Sequence, residues 1–417
     1  MENTAPDSRS RTANQHDRFV LLDIARTFAA LAVVFWHWQH FSFSSGALAA
    51  DFDRSAQPLY FIFLPFYERG WLAVDFFFML SGYIFFWKYK APVCAGSIGA
   101  KHFFFLRFSR LYPLHLVTLL TVAILQAAYY RRHGGFFIFP FNDIYHFFLH
   151  LFLGSQWGLQ RGPSFNDPVW SLSVEVILYA VFFWVAKYAG GRSFLLYVLA
   201  GAGFAIYASN LSNAIGRGIF CFFIGGVLAV ALRSTTSPIR RNPIENVTYL
   251  ALAIWVFLAS LLWLNGAWQY WSEGMSGLIM HLLPALQLQE AKIAVRLVRL
   301  TEYFFVAGIL FPLLITALVF LERRFHVGVR PFAFLGNISY SSYLLHFPLQ
   351  LACVLLYPQY FSSATGAYAG FGLTAFFVVL IAISFCSFHL MEAPAQAAIR
   401  RRTLRRLVAL EISPQRS

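Results

Sequence analysis

Charged residues are scarce in this sequence: only 12% of its 417 residues are Asp, Glu, Lys or Arg, whereas 59% are hydrophobic. Soluble domains carry about twice that charged fraction, so the composition argues against a chain of two or three soluble domains. Long apolar runs occur instead, for example at 71–87, 247–264, 303–321 and 370–389. An apolar run of about 20 residues can cross a bilayer. The sequence therefore predicts an integral membrane protein.

Cysteines and soluble-enzyme motifs are also sparse. The four cysteines, Cys94, Cys221, Cys353 and Cys386, are scattered and show no metal-ligand spacing, so neither a disulfide framework nor a metal site is predicted. No glycine-rich phosphate loop, His-Glu-x-x-His or Gly-x-Ser-x-Gly motif stands out in the sequence. The common signatures of soluble nucleotide-binding enzymes, zinc proteases and serine hydrolases are therefore missing.

The net charge is strongly basic, at +14 near neutral pH. Most basic residues flank the apolar runs, which is the distribution of the positive-inside rule and not that of a nucleic-acid groove. We therefore expect a lipid bilayer as partner and no nucleic acid. The block of arginines at 400–406 is expected to lie against an anionic cytoplasmic leaflet.

The hydropathy pattern predicts an all-α polytopic membrane helix bundle with about ten transmembrane spans and with both termini in the cytoplasm. One membrane domain, 19–396, is expected between cytoplasmic tails at 1–18 and 397–417. The apolar segment 144–157 is short, and we predict that it is interfacial or re-entrant. Long outer segments are expected at 42–70, 130–168 and 266–302. The predicted spans are 19–41, 71–88, 105–129, 169–187, 194–209, 216–232, 247–265, 303–321, 334–357 and 369–391.

Ionisable residues inside membrane spans are costly and face protein interior or water, so those of the first span are candidates for function. Arg26 and His37 are 11 residues apart, which places them on nearly one helix face with a rise of about 16 Å between them. Asp23 can pair with Arg26 three residues later. A histidine there is suited to accept a proton from a hydroxyl. The alternative is a buried, hydrogen-bonded histidine with an arginine that snorkels to the interface.

Two carboxylates are predicted to lie in the outer half of the membrane, as His37 does. Asp75 shares a helix face with Met79 and Gly82, where a neighbouring helix can approach closely. Glu175 follows Ser171 by one turn. Either carboxylate could orient an imidazole, and each could equally be a structural hydrogen-bond anchor between helices.

Two arginines open the third span. Arg107 and Arg110 are three residues apart and so face the same way. Paired guanidinium groups suit phosphate oxygens better than lysines do, although positive-inside anchoring would produce the same pattern.

Polar side chains recur along one face of the ninth span. Ser339, Tyr343 and His346 stand at i, i+4 and i+7, a spacing that suits either a cavity wall or packing against polar neighbours. With arginines at the cytoplasmic mouth and an imidazole near the outside, the residues fit acyl transfer from a phosphate-bearing carrier to an outer hydroxyl. They fit a proton-coupled transport path equally well.

Six segments, taken in order, resemble the motifs of the membrane acyltransferase-3 family, which O-acylates bacterial cell-surface glycans and some secondary metabolites. Each is weak alone, but together they cover about residues 18–396. They are Arg26-x10-His37, Asp75-Phe-Phe-Phe-Met-Leu-Ser-Gly82, Arg107-Phe-Ser-Arg110-Leu-Tyr-Pro113, Trp170-Ser-Leu-Ser-Val-Glu175, Leu335-Gly-Asn-Ile-Ser-Tyr-Ser-Ser-Tyr-Leu-Leu-His346 and Glu392-Ala-Pro394.

The resemblance implies ten spans, an acyl-CoA donor and a catalytic role for His37. It also implies that Arg107 and Arg110 bind the donor and that Arg26 and Glu175 belong to the functional core. Acceptor choice is expected to reside in the three outer segments, which match no motif of the family.

The sequence thus predicts an O-acyltransferase of the bacterial inner membrane. It would move an acyl group, expected to be acetyl, from cytoplasmic acyl-CoA to a hydroxyl of a cell-surface glycan or similar acceptor, without a metal. His37 would be the general base, Glu175 or Asp75 its orienter, and Arg26, Arg107 and Arg110 the donor-binding residues. A glycan or lipid transporter or flippase is the second hypothesis, and a non-enzymatic membrane assembly protein the third. The residues expected to contact substrate are Trp170, Ser171, Ser173, Tyr343 and His346.

Overall fold

A computed structural model describes residues 19–401 with gaps at 45, 191, 235–240, 264–269, 271–272, 276, 279–280, 282–290, 326–332 and 362–368. This part of the chain is almost entirely helical, which confirms the all-α prediction. Its one sheet is a two-stranded antiparallel hairpin, β1 (Phe43–Ser44) and β2 (Ala47–Leu48). In chain order the helices are α1 (Val20–Trp36), α2 (Tyr60–Arg69), α3 (Ala73–Lys88), α4 (Lys90–Cys94), α5 (Ala100–His133), α6 (Ile144–Leu151), α7 (Trp170–Tyr188), α8 (Ser193–Ala208), α9 (Asn213–Ser234), α10 (Arg241–Trp263), α11 (Ala291–Phe305), α12 (Phe311–Phe325), α13 (Ala333–Leu356), α14 (Pro358–Phe361) and α15 (Ala369–Ser387).

Within the part of the chain that the structure describes, seven helical stretches are long and apolar enough to cross a membrane. Two shorter apolar helices, Ser193–Ala208 and Val247–Ser260, coincide with two more predicted spans, and α13 occupies the position of the ninth. The count of ten crossings and the cytoplasmic placement of both termini remain predictions. The seven stretches are Val20–Ser42, Tyr60–Cys94, Ala100–His133, Asp167–Tyr188, Asn213–Arg233, Val295–Arg323 and Gly370–Arg401.

The predicted interfacial or re-entrant segment contains a helix of only eight residues, α6. Its length is about 12 Å at 1.5 Å per residue, too short to cross a bilayer. Asp143 caps its start by accepting a hydrogen bond from the backbone N–H of His146 at 2.9 Å, as expected for an N-cap aspartate.

Helices α1 and α13 pack side by side and run in the same direction. Near the start of each, Gly336 lies against the Asp23 side chain with no room for a Cβ. Further along, His37 and His346 meet. We call the end at which α1 begins the basic end, because Lys88, Arg107, Arg110 and Arg400 gather there, and the opposite end the distal end.

The first turn of α1 is capped from a distant part of the chain. The backbone N–H groups of Val20 and Leu21 both donate to the carboxylate of Glu322 on α12, Leu21 at 3.0 Å. Amides of a first helical turn have no partner within their own helix, and a carboxylate also complements the positive end of the helix dipole.

Glycines allow a close helix–helix contact between α3 and α9. A Cβ added at Gly82 would overlap the backbone oxygen of Phe222, and one added at Gly225 would overlap that of Met79. The close approach that the sequence predicts at Met79 and Gly82 is therefore confirmed, and α9 is the partner. Small residues allow this backbone proximity in membrane bundles.

Replacing Gly82 with alanine is expected to destabilise the bundle by about 1–3 kcal/mol, because the new methyl group must push α9 away. Gly201→Ala is the matched control, since nothing lies within 4 Å of the added Cβ and alanine favours a helix. Thermal unfolding in detergent should show a lower midpoint for Gly82→Ala and an equal or higher one for Gly201→Ala. Equal midpoints for Gly82→Ala and the parent would contradict the tight contact.

Candidate functional site

A cavity of about 500 Å³ opens at the basic end, which we call the basic cavity. It is bounded by α1, α3, α5, α7 and α13, and it extends inward from Lys88 and Arg400 to Ser171 and Tyr343. There the hydroxyl of Ser171 lies 2.9 Å from that of Tyr343, and the Tyr343 hydroxyl donates to the Pro168 carbonyl. This hydrogen-bonded pair forms the inner end of the cavity.

Basic side chains outnumber acidic ones in the wall of the basic cavity. The basic members are Arg26, Lys88, Arg107, Arg110 and Arg400, and the acidic members are Asp23, Glu175 and Glu392. The acidic members are engaged locally: Asp23 lies 3.4 Å from Arg26, and Glu392 accepts hydrogen bonds from Ser341 and Ser387. The excess of positive charge makes the cavity suitable for an anionic ligand.

Arg107 and Arg110 line the same cavity, as their spacing predicts. The Arg107 guanidinium is buried and lies 4.4 Å above the ring of Tyr89 and 5.0 Å from that of Phe85. These rings hold it by cation–π attraction. Its Nε atom is buried without a hydrogen-bond partner, which leaves a donor for a ligand.

The Glu175 side chain lines the basic cavity, whereas His37 is not among the lining residues. Its carboxylate accepts a hydrogen bond from the Tyr179 hydroxyl and lies 3.5 Å from that of Ser81. Arg26, Arg107 and Arg110 all act electrostatically on it. No contact between Glu175 and His37 is found among the described residues, so an orienting role for Glu175 stays a prediction.

His37 lies just beyond the inner end of the basic cavity, at the first residue of the 3₁₀ helix His37–Ser42 that continues α1. Its Nδ1 is 3.2 Å from Nε2 of His346, and the two rings are stacked with centroids 5.0 Å apart. His346 is fully buried and stands one turn after Tyr343 on α13. The imidazole of His37 is thus paired with the imidazole of His346.

The hydrogen-bond chain fixes the tautomer of both rings. Nδ1 of His346 contacts the Tyr343 carbonyl, which can only accept, so this nitrogen carries the proton. In neutral His346, Nε2 is then an acceptor, and Nδ1 of His37 must donate to it. The free lone pair of neutral His37 is consequently on Nε2, the position from which a general base acts.

A glutamine and a third histidine secure the backbone around His37. The Gln350 amide donates to the His37 carbonyl at 2.9 Å, and its oxygen lies 3.0 Å from Nδ1 of His40. Gln350 is fully buried. This bridge ties the 3₁₀ helix to α13 and limits movement of the His37 side chain.

Asp75 belongs to a separate buried ion pair. Its two carboxylate oxygens accept from Nε and Nη2 of Arg217 at 3.0 and 2.6 Å, and Tyr303 donates at 3.0 Å. No contact between Asp75 and His37 is found among the described residues. Asp75 is one of the two orienters of His37 that the sequence predicts, but Arg217 on α9 donates to both of its carboxylate oxygens.

Two residues expected to contact substrate face other parts of the bundle. Trp170 lies under the Arg217 guanidinium at 5.5 Å. The Ser173 hydroxyl accepts the backbone N–H of Gln156 at 2.9 Å. Successive helical residues are about 100° apart, so a helix that turns Ser171 and Glu175 to the basic cavity turns these two elsewhere. Ser171 and Tyr343 do line the cavity, while any contact of the five with substrate stays a prediction.

Sequence reasoning missed His40, Gln350 and the pairing of Arg217. Extension of the polar face of α13 by one more turn, from His346 to Gln350, would have found the glutamine. His40 follows His37 by three residues and was detectable in the same way. The partner of Arg217 was not detectable, because a single sequence does not show the register between two helices.

Comparison with known proteins identifies the family to which this helix bundle is similar. A family model described as "Acyltransferase domain" (Acyl_transf_3) matches residues 19–388. The chain is 35% identical over 114 residues to "Protein 2 in picA locus" from Rhizobium radiobacter, a match that spans 27% of this chain and 47% of that protein. The chain thus covers about half of the length of this relative. No solved structure matches.

Proposed function

Because the chain belongs to the acyltransferase-3 family, we propose that it transfers an acyl group, expected to be acetyl, from acyl-CoA to a hydroxyl of a cell-surface glycan. The proposed setting is the inner membrane of a bacterium, with the basic end towards the cytoplasm. The observation that supports it most is the position of His37. Its imidazole lies directly beyond a deep, positively charged cavity and has a tautomer suited to a base.

The donor is proposed to occupy the basic cavity. Lys88, Arg110 and Arg400 at the mouth and the buried Nε of Arg107 would bind its phosphates. The arm that carries the thioester would extend along α1 past Arg26 towards the Ser171–Tyr343 pair. The rise between Arg26 and His37 is about 16 Å, so a long, flexible donor is needed to reach the imidazole.

In the proposed reaction His37 is the general base. Nε2 removes the proton of the acceptor hydroxyl as its oxygen bonds to the thioester carbonyl carbon. The tetrahedral intermediate then collapses, the C–S bond breaks, and the proton on Nε2 passes to the departing thiolate to give the free thiol. During this step the imidazolium is stabilised by its Nδ1–H···Nε2 hydrogen bond to His346.

The proposal is tested by acyl-CoA binding and turnover with purified protein in nanodiscs. Arg110→Ala should weaken acetyl-CoA binding by about tenfold to a hundredfold, the effect of losing one charge-assisted hydrogen bond. Free thiol release should fall at subsaturating donor and recover in part at high donor concentration.

Arg131→Ala is the matched control, since Arg131 is exposed at the distal end of α5, outside the basic cavity. It should bind acetyl-CoA as the parent does. If the parent protein binds no acyl-CoA of any chain length, the donor assignment is wrong, and flux of a glycan or lipid without a covalent product becomes the hypothesis to test.

A further inference from the structure

A second cavity, of about 1000 Å³, lies at the distal end and is called here the distal groove. Its walls come from residues 41–56, from the end of α5 with the following loop to 140, and from Val354 and Pro358. Two of the segments predicted to be outer, 42–70 and 130–168, therefore contribute to one groove.

The distal groove is close to His37. Phe41 and Ser42, which line it, belong to the same 3₁₀ helix that begins at His37. Four residues of 3₁₀ helix rise about 8 Å. His40 lies between His37 and the groove along this helix, with its ring edge-on to that of Phe43 and the ring centroids 5.9 Å apart. The groove thus approaches the imidazole from the side opposite to the basic cavity.

Aromatic rings and carboxylates dominate the lining of the distal groove. Asp51 and Asp53 are its acidic residues, and no lysine or arginine occurs among the described residues that line it. Phe52 lines the groove and its side chain is partly exposed. The aromatic side chains of the lining are Phe41, Phe43, Phe52, Tyr129, Phe136 and Phe137.

Arg54 stands beside these carboxylates in sequence but points away from the distal groove. Its guanidinium donates to the Tyr67 carbonyl at 2.7 Å and to Gln39 at 2.8 Å, and it lies 4.5 Å above the ring of Trp36. Arg54 thus holds α2 against α1 and is not among the residues that line the groove. The described lining residues therefore include two carboxylates, one histidine (His133), and no lysine or arginine.

We propose that the distal groove binds an uncharged pyranose unit of the acceptor, with Phe52 stacked on a sugar face and Asp51 and Asp53 accepting hydrogen bonds from sugar hydroxyls. A pyranose has apolar C–H groups on its faces and hydroxyls round its rim, which matches aromatic rings bordered by carboxylates. The volume is at the upper end of the range for small-molecule sites and has room for more than one sugar. An anionic sugar is disfavoured, because it would face two carboxylates, with one histidine and no lysine or arginine among the described lining residues. The identity of this ligand as the acceptor rests on the proposed acyltransferase function.

The test uses the full-length protein in nanodiscs with methyl glucoside, methyl galactoside, methyl mannoside and methyl N-acetylglucosaminide as probes. Methyl glucuronoside is the anionic counterpart. Binding is measured by saturation-transfer NMR without donor, and thiol release is measured with saturating acetyl-CoA. At least one neutral probe should bind and accelerate thiol release, and the glucuronoside should bind at least tenfold more weakly.

Asp51→Asn and Phe52→Ala should each raise the Kd and the KM of that probe by about tenfold and leave the Kd for acetyl-CoA unchanged. Phe61→Ala, an exposed phenylalanine of α2 outside the distal groove, should change neither. Binding of no neutral probe, equal binding of the glucuronoside, or unchanged probe binding in both variants would overturn the proposal. Probe binding that is lost in the variants while the parent binds no acyl-CoA would support the groove and overturn the proposed function instead.

Discussion

Replacement of His37 with alanine is expected to lower acyl transfer by a factor of about 10² to 10⁴, the usual contribution of a positioned general base. The binding of acetyl-CoA should be unchanged, because His37 is outside the lining of the basic cavity. The residual rate would come from the positioning of both substrates. Thiol release and labelled acyl transfer, measured beside the donor Kd, give the loss in turnover separately from binding.

His102→Ala is the matched control for this loss, since His102 lies at the basic end and lines neither cavity. Variants of His346 then test how the base is held. In His346→Gln a side-chain oxygen can still accept from His37 Nδ1, so this variant should keep more activity than His346→Leu, which cannot. Full transfer by a folded His37→Ala protein would remove the histidine from the reaction altogether.

Removal of the Asp75 carboxylate is expected to have the largest effect on stability. Asp75→Ala leaves the Arg217 guanidinium without its partner between α3 and α9. Loss of one member of a buried ion pair costs about 3–5 kcal/mol, because the remaining charge is buried and unpaired. The unfolding midpoint in nanodiscs should fall markedly, and the yield of folded protein with it, whereas the turnover of the folded fraction should stay near that of the parent.

The double variant Asp75→Leu with Arg217→Met distinguishes the buried charge from a loss of packing. Replacement of both members by apolar residues of similar size removes the desolvated charge, so it should restore most of the lost stability. The opposite pattern, normal stability of Asp75→Ala with turnover abolished, would support the orienting role that the sequence analysis offers for Asp75.

Much of the bundle could be predicted from hydropathy, because apolar runs must form helices in a bilayer. Helix faces were predictable too: Arg107 and Arg110 do line one cavity, and Gly82 does mark a close helix contact. The contacts between those faces were not predictable, because they depend on the register between helices that are distant in the sequence. The partner of His37 could therefore not be predicted, because it is a histidine 309 residues away in the chain.

The partners of the two buried carboxylates could not be predicted for a related physical reason. A single sequence shows that Glu175 and Asp75 are costly in a membrane and need partners, but it offers several cations for each. The structure gives Asp75 to Arg217 and places Glu175 among the arginines of the basic cavity. Asp75 is thereby held by a guanidinium group and Glu175 by the Tyr179 hydroxyl, and neither carboxylate contacts His37 among the described residues.

The capping of α1 by Glu322 bears on how the protein is made. Ribosomes add about 5–20 residues per second, so the first helix enters the membrane about 15–60 s before the residue that caps it, 302 positions later, has been synthesised. The imidazole contact from α13 comes later still. A nascent chain thus carries its histidine from the start but has no assembled centre until nearly all helices are inserted. Prematurely terminated chains should therefore consume no acyl thioester.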